Sequence, residues 1–166
     1  MNKLKYEIES YLIDNFNKIK INSETIKEGD VFFALKGSNT HGNNYIKHAL
    51  SKGAKYAVTN KKFGENFSIK ILKVTNTLNF LDRIARKKRN QFKGIVIAVS
   101  GSVGKTSIKE FLKFFLSSQG SVSASIKSYN NYLGVLISLI NMDRNSIFSI
   151  FEVGTNNSNE IKKLAS

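Results

Sequence analysis

Seven residues, Gly101, Ser102, Val103, Gly104, Lys105, Thr106 and Ser107, sit between two patterned apolar stretches. Before them runs Ile95 to Val99 without a polar break, and after them Ile108, Phe111, Leu112, Phe115 and Leu116 recur at helical spacing. The pattern predicts a buried strand, a tight loop and an amphipathic helix. The first turn of a helix carries unpaired N–H groups and partial positive charge, so an anion at that point is favoured. Gly101 and Gly104 would let the backbone curl around phosphate oxygens. Lys105 would add a full charge for the outer phosphates, and the Thr106 hydroxyl could ligate an accompanying magnesium ion. The match to a Walker A motif is partial, because Val99 stands where the first glycine of that motif belongs. A surface turn with a chance lysine is the competing reading, and the two flanking elements favour phosphate.

A second polar group belongs to the same region if the strands are neighbours. Ligands of open parallel sheets gather at the carboxyl ends of the strands. Glu152 lies at the carboxyl end of the apolar segment Ile147 to Val153, so it is a candidate magnesium ligand, against the alternative of a strand-end glutamate in solvent. Asn130 and Asn131 precede a helix expected over about Leu133 to Ile140. Capping is the common use of asparagine there, and the same cleft is within reach. His41 and His48 show no carboxylate or serine partner in the sequence, and neither is assigned a catalytic role.

The elements that would position these groups fall in two halves. In the first, Asp30 to Gly37 reads as a strand, Asn44 to Gly53 as a helix stopped by glycine, Ala54 to Thr59 and Ser68 to Val74 as strands. A helix with Leu78, Leu81, Ile84 and Ala85 on one face then runs into the basic cluster Arg86 to Arg89 and ends before Gly94. The second half adds a short strand at Ser121 to Ser125 and the strand carrying Glu152. This order predicts an α/β fold: a small N-terminal α/β domain over residues 1–90, then the first part of a P-loop-type parallel-sheet domain over 91–166.

Composition narrows the function classes. The chain has 166 residues, no cysteine and no proline, with 26 basic against 12 acidic side chains for a net charge of +14. Disulfides and thiolate metal sites are excluded. The basic residues are spread along the chain without a recognition motif, so nucleic-acid binding is not the expected function; a solvated basic face that attracts anionic substrates is. The charged start resembles no signal peptide, and no apolar run is long enough to span a bilayer. A soluble cytoplasmic protein without membrane insertion is expected.

Several stretches together resemble the ATP-dependent Mur ligases of peptidoglycan synthesis. The glycine loop is similar to that family's G-[ST]-x-G-K-[ST] variant, which also lacks the first Walker glycine. The segments "SYNNYLGV" and "FEVGTNNSNEIKKL" resemble its asparagine-rich segment and glutamate strand, and residues from Asn22 to Val58 resemble its uridine-nucleotide-binding domain. The resemblance implies that Gly101 to Ser107 and Asn130 hold ATP, that Thr106 and Glu152 lie at Mg2+, and that Lys105, Glu152 and Asn131 act in catalysis. It implies Ser23 as a substrate contact. Where the family usually shows Asp-Ser-Arg, this chain has Asn22, Ser23 and Glu24, and its D-G-H-D-F motif reads here as His41, Gly42, Asn43, Asn44 and Tyr45.

The branch most similar joins D-alanyl-D-alanine to UDP-N-acetylmuramoyl-tripeptide through an acyl phosphate, as a monomer when full length. The alternatives are a branch that adds a single amino acid, or a truncated nucleotide-binding module without ligase activity. Because the family has three domains, the chain by itself is expected to be incomplete and inactive.

Overall fold

The structure, a computed structural model, describes residues 3–37, 40–62, 69–125 and 130–154. It divides into two compact units, residues 1–84 and 85–166.

The first unit is built on four parallel strands in the order β1-β2-β3-β4: β1 (Ile19–Lys20), β2 (Val31–Phe33), β3 (Tyr56–Thr59) and β4 (Ile71–Lys73). Side chains alternate across a strand, and here the two sets bury against different helices. Phe32, Ala57 and Ile71 pack with Ile46 and Ala49 of α2 (Ile46–Ser51). On the opposite face Phe33 stacks on Phe80 of α3 (Thr77–Gln91), with ring centroids 6.1 Å apart. Tyr56 meets Tyr11 of α1 (Lys3–Asp14) edge to face. Ile8 and Leu12, one turn apart on α1, are fully buried, so the charged opening of the chain forms a helix that is not expected from its charge. Leu81 and Ile84 of α3 are likewise fully buried, and truncating either to alanine should cost about 2–5 kcal/mol.

The first-unit strands are shorter than the runs that predict them. The β2 ladder ends where Ala34 N–H donates to Val58 O at 2.9 Å, the stretch from Leu35 to Gly37 leaves the sheet, and the fourth strand begins at Ile71. Helix α3 begins where the Asn76 side chain accepts the Asn79 N–H at 3.0 Å. It continues beyond the first unit, and its last turns belong to the second.

The second unit has three parallel strands in the order β5-β7-β6: β5 (Ile95–Val99), β6 (Val122–Ala124) and β7 (Phe148–Glu152). Helix α4 (Lys105–Ser117) follows β5, and α5 (Tyr132–Asn141) joins β6 to β7. Val135 and Met142 pack with Phe92, Phe151 and Val153 in one cluster. Lys88, near the end of α3, donates to the Ile140 carbonyl at 2.6 Å and so ties that helix to the last turn of α5.

Helix α4 departs from the expected picture of one apolar face turned to the core. Leu112 and Leu116 are half-buried, while Ile108, Phe111 and Phe115 are exposed. The helix lies mainly over β6 and β7, and β5 is an edge strand, so among the described residues the outer part of the stripe has no sheet beneath it.

Candidate functional site

The two strands that carry the candidate groups are direct neighbours. β5 pairs with β7 in parallel, and the register sets Val99, the last residue of β5 and two positions before Gly101, opposite Glu152. The ladder continues one step further, where Val153 N–H donates to Val99 O at 2.9 Å. Loop and carboxylate therefore leave the same edge of one sheet.

The loop's shape follows from its glycines. Gly101 and Gly104 have φ of +152° and +78°, conformations that cost a side-chain-bearing residue energy. Gly104 is the residue from which α4 starts, and no atom lies within 4 Å of where its Cβ would be. Space at a helix N-terminus, free of side chain, is what an approaching oxyanion needs. Lys105 folds back and donates to Gly101 O at 2.7 Å, spanning the loop. Ser102, Val103 and Ser107 are exposed around it.

Glu152 is 4% exposed, yet it has partners on both oxygens. Thr106 Oγ1 donates to Oε2 at 2.8 Å, and Asn130 Nδ2 donates to Oε1 at 3.2 Å. Its backbone N–H donates to Ser125 Oγ at 3.1 Å. The Asn130 carbonyl in turn accepts from Gly154 N–H at 2.6 Å, which locks the asparagine to the end of β7. The solvent-facing alternative for Glu152 is therefore excluded. The oxygen set of Thr106 and Glu152, beside an open loop of N–H groups, fits a hard cation of the magnesium type.

Asn131 stands apart from this network. Its Oδ1 accepts from Gly134 N–H at 2.8 Å and caps α5, the ordinary use of asparagine before a helix. The segments 126–129 and 155–166, which contain parts of the two asparagine-rich stretches quoted above, lie outside the described residues.

In the first unit Ser23 is buried, in a 3₁₀ turn after β1. Its hydroxyl lies 3.1 Å from His48 Nδ1, and His48 Nδ1 lies 3.8 Å from Glu24 Oε1. Neither partner of His48 is apparent from the sequence alone. They are supplied by α2, which brings position 48 back over the turn, and no short-range spacing signals it. Glu24 is held by Lys52 at 2.8 Å, and its carboxyl lies below the usual range because of that hydrogen bond and the lysine charge. His41 caps a second 3₁₀ turn, accepting from Asn43 N–H at 3.2 Å. Asn43 is joined to Thr59 at 2.6 Å and to Asn60 at 3.0 Å, all at the carboxyl end of β3.

Two parallel-sheet units, one with a Gly-x-x-Gly-Lys-Thr turn between strand and helix and a buried carboxylate on the neighbouring strand, define a mixed α/β protein of the nucleotide-loop class. The Mur ligase family catalytic domain matches residues 15–89 and the Mur ligase middle domain matches residues 99–166. The chain belongs to the Mur ligase family.

Individual relatives agree. The chain is 43% identical over 150 residues to the UDP-N-acetylmuramoyl-tripeptide–D-alanyl-D-alanine ligase of Rickettsia prowazekii, covering 90% of this chain and 33% of that protein. It is 36% identical over 128 residues to the UDP-N-acetylmuramoyl-L-alanyl-D-glutamate–2,6-diaminopimelate ligase of Rickettsia conorii, covering 76% and 26%. Among solved structures, MurF ligase from Thermotoga maritima in complex with ADP superposes with a TM-score of 0.77 at 30% identity, over 93% of this chain and 35% of that one. A crystal structure of MurF from Acinetobacter baumannii gives 0.78 at 26% identity, over 95% and 37%. The chain thus spans about a third of the length of the curated relatives it matches.

Proposed function

We propose that this chain carries the UDP-substrate domain (residues 1–90) and the first part of the ATP-binding domain (91–166) of a ligase. The ligase joins D-alanyl-D-alanine to UDP-N-acetylmuramoyl-tripeptide in peptidoglycan synthesis. The observation that carries this reading is the Thr106 to Glu152 hydrogen bond at the mouth of the glycine loop, because it gathers a hydroxyl and a carboxylate next to the lysine meant for phosphate. The dipeptide-adding branch is favoured over the branch that adds one amino acid, since the relative of the former type shares higher identity over more of the chain.

In this reading the substrate carboxylate attacks the γ-phosphorus of ATP, giving an acyl phosphate and ADP. The amine of D-alanyl-D-alanine then attacks the acyl carbon, losing a proton as phosphate departs. No protein nucleophile is required. The loop N–H groups and Lys105 offset the charge on the transferring group. Thr106 and Glu152 would hold Mg2+, which when bound supplies further charge neutralisation at the phosphates. Ser102, Val103, Ser107 and Asn130 would line the nucleotide, and Ser23 would meet the uridine-nucleotide substrate. Asn131 serves the site through the start of α5. We take the full-length enzyme as a cytoplasmic monomer.

The test is calorimetric titration of the chain with ATP and Mg2+, in parallel with Lys105→Ala. Saturable binding that the substitution abolishes is expected. Absence of binding, or equal binding by the two proteins, would overturn the assignment. Titration with UDP-N-acetylmuramoyl-tripeptide tests the first domain separately.

A further inference from the structure

Two lysines among the described residues are fully buried, Lys88 and Lys109, each 1% exposed. Burying an ammonium is costly unless specific groups receive it. Lys88 finishes the carbonyl end of α5, a use that favours a cation on electrostatic grounds. Lys109 has a different setting. It lies three residues after Thr106 on α4 and so shares that face of the helix. Its Nζ donates to Ser125 O at 2.8 Å and lies 3.2 Å from Glu110 Oε1.

Ser125 is the link. Its N–H donates to Ile150 O at 2.9 Å, its carbonyl accepts from Lys109, and its hydroxyl accepts from the Glu152 N–H. Every polar atom of this buried residue is therefore used, and one of those bonds fixes the backbone of Glu152. The connected path runs from Lys109 to Ser125, to Glu152, and through its carboxylate to Thr106, which returns to α4 one turn before it began. Such a closed ring ties the height of β6 and β7 to the first turn of the loop helix. Small displacements of a metal-ligating carboxylate are costly to function, which is why supporting bonds around such ligands matter.

We propose that Lys109, acting through Ser125, is a positioning residue for the Glu152 carboxylate at the phosphate and magnesium site. The partners of Lys109 are Ser125 O and Glu110 Oε1, so its hold on Glu152 runs through Ser125. The lysine sets where the carboxylate stands relative to Thr106. The inference rests on the reading of Thr106 and Glu152 as magnesium ligands for its functional consequence, but its structural core can be measured without any ligand.

The experiment compares the wild-type chain with Lys109→Met, and with Lys109→Gln should the methionine variant not fold. Amide hydrogen exchange on the ligand-free protein is read residue by residue. Exchange at the Glu152 N–H should rise by about tenfold or more, while Phe148 and Ile150 in the same strand stay near wild type. In titrations with ATP, the Mg2+ concentration for half-maximal binding should rise several-fold, with Mg2+-free ATP affinity unchanged. Ser125→Ala should give the same Mg2+ shift from the other side of the link. Uniform exchange across β7, or unchanged exchange at Glu152, would overturn the proposal and reduce Lys109 to a packing residue. If the wild-type chain binds no Mg2+-ATP, the nucleotide reading fails and the exchange result alone decides the positioning role. If wild type binds and the variants keep its Mg2+ dependence, only the positioning role fails.

Discussion

The Thr106 hydroxyl donates to Glu152 Oε2 at 2.8 Å across 46 positions of sequence. The bond is possible because β5 and β7 are adjacent and in register, so that the residue after one strand's loop meets the last residue of the other strand. Hydroxyl and carboxylate are joined without an intervening group, and a bond to an ionised acceptor is among the stronger ones a protein makes.

Replacing Glu152 with glutamine keeps the shape and an acceptor for Thr106 but removes the charge. We expect the apparent affinity for Mg2+ in the presence of ATP to fall about tenfold or more, with Mg2+-free nucleotide affinity within about twofold of wild type. Calorimetry at graded Mg2+ concentrations reads both numbers. An unchanged Mg2+ requirement would remove Glu152 from the metal site.

Lys105→Ala should leave the fold intact, because the side chain is half-buried and its described hydrogen bond goes to the loop carbonyl of Gly101. Thermal stability should move by less than about 1 kcal/mol, while ATP binding is lost. In a complete enzyme the same change should lower turnover by several orders of magnitude. A large fall in melting temperature would show instead that the lysine holds the loop rather than the ligand.

Asn131 is separable from the phosphate site by the same logic. Asn131→Ala deletes the cap on Gly134 N–H and should cost about 1 kcal/mol in denaturant unfolding. Asn131→Asp, which keeps an acceptor at the cap, should restore most of that loss. Loss of ATP affinity in Asn131→Asp without loss of stability would return this residue to the ligand.

Tyr56 gives the first unit an alkaline limit. Burial, then its hydrogen bond and charge interaction with Glu7, push the phenol from 10.0 up to about 12. The folded state therefore holds this proton more tightly than the unfolded one. The associated stability is fully present below pH 10 and is lost as pH rises through about 12. Urea unfolding followed from pH 8 upward should show this decline, and Tyr56→Phe should flatten it. An equally steep decline in the phenylalanine variant would assign the limit to other groups.

The exposed rings of α4 make a prediction about solution behaviour. Phe111 is 66% and Phe114 82% exposed, and apolar surface of this kind promotes association. Phe111→Ser combined with Phe114→Ser should reduce self-association in light scattering while leaving the melting temperature unchanged. A marked fall in that temperature would mean that the rings contribute to the folded core.

By itself the sequence determined the order of most elements and the strand, glycine turn and helix around the loop. Local rules suffice there: an apolar run, glycines where φ turns positive, and a lysine and threonine at the start of a helix are all neighbours along the chain. Capping by Asn131 was equally legible, since a cap acts three residues away. The α1 helix carries a signal as well, since Leu4, Ile8, Tyr11 and Leu12 recur at i, i+4, i+7 and i+8, but the charges of Lys5, Glu7 and Glu9 between them mask it; Ile8 and Leu12 are the two that are fully buried. Strand adjacency was decided by the tertiary structure alone. The pairing of β5 with β7, not with β6, is what puts Glu152 opposite Val99. The His48 contact with Ser23 and the Lys109 contact with Ser125 have the same origin. Each joins side chains from different elements, and the distance between such groups depends on how sheets and helices pack rather than on any spacing written in the chain.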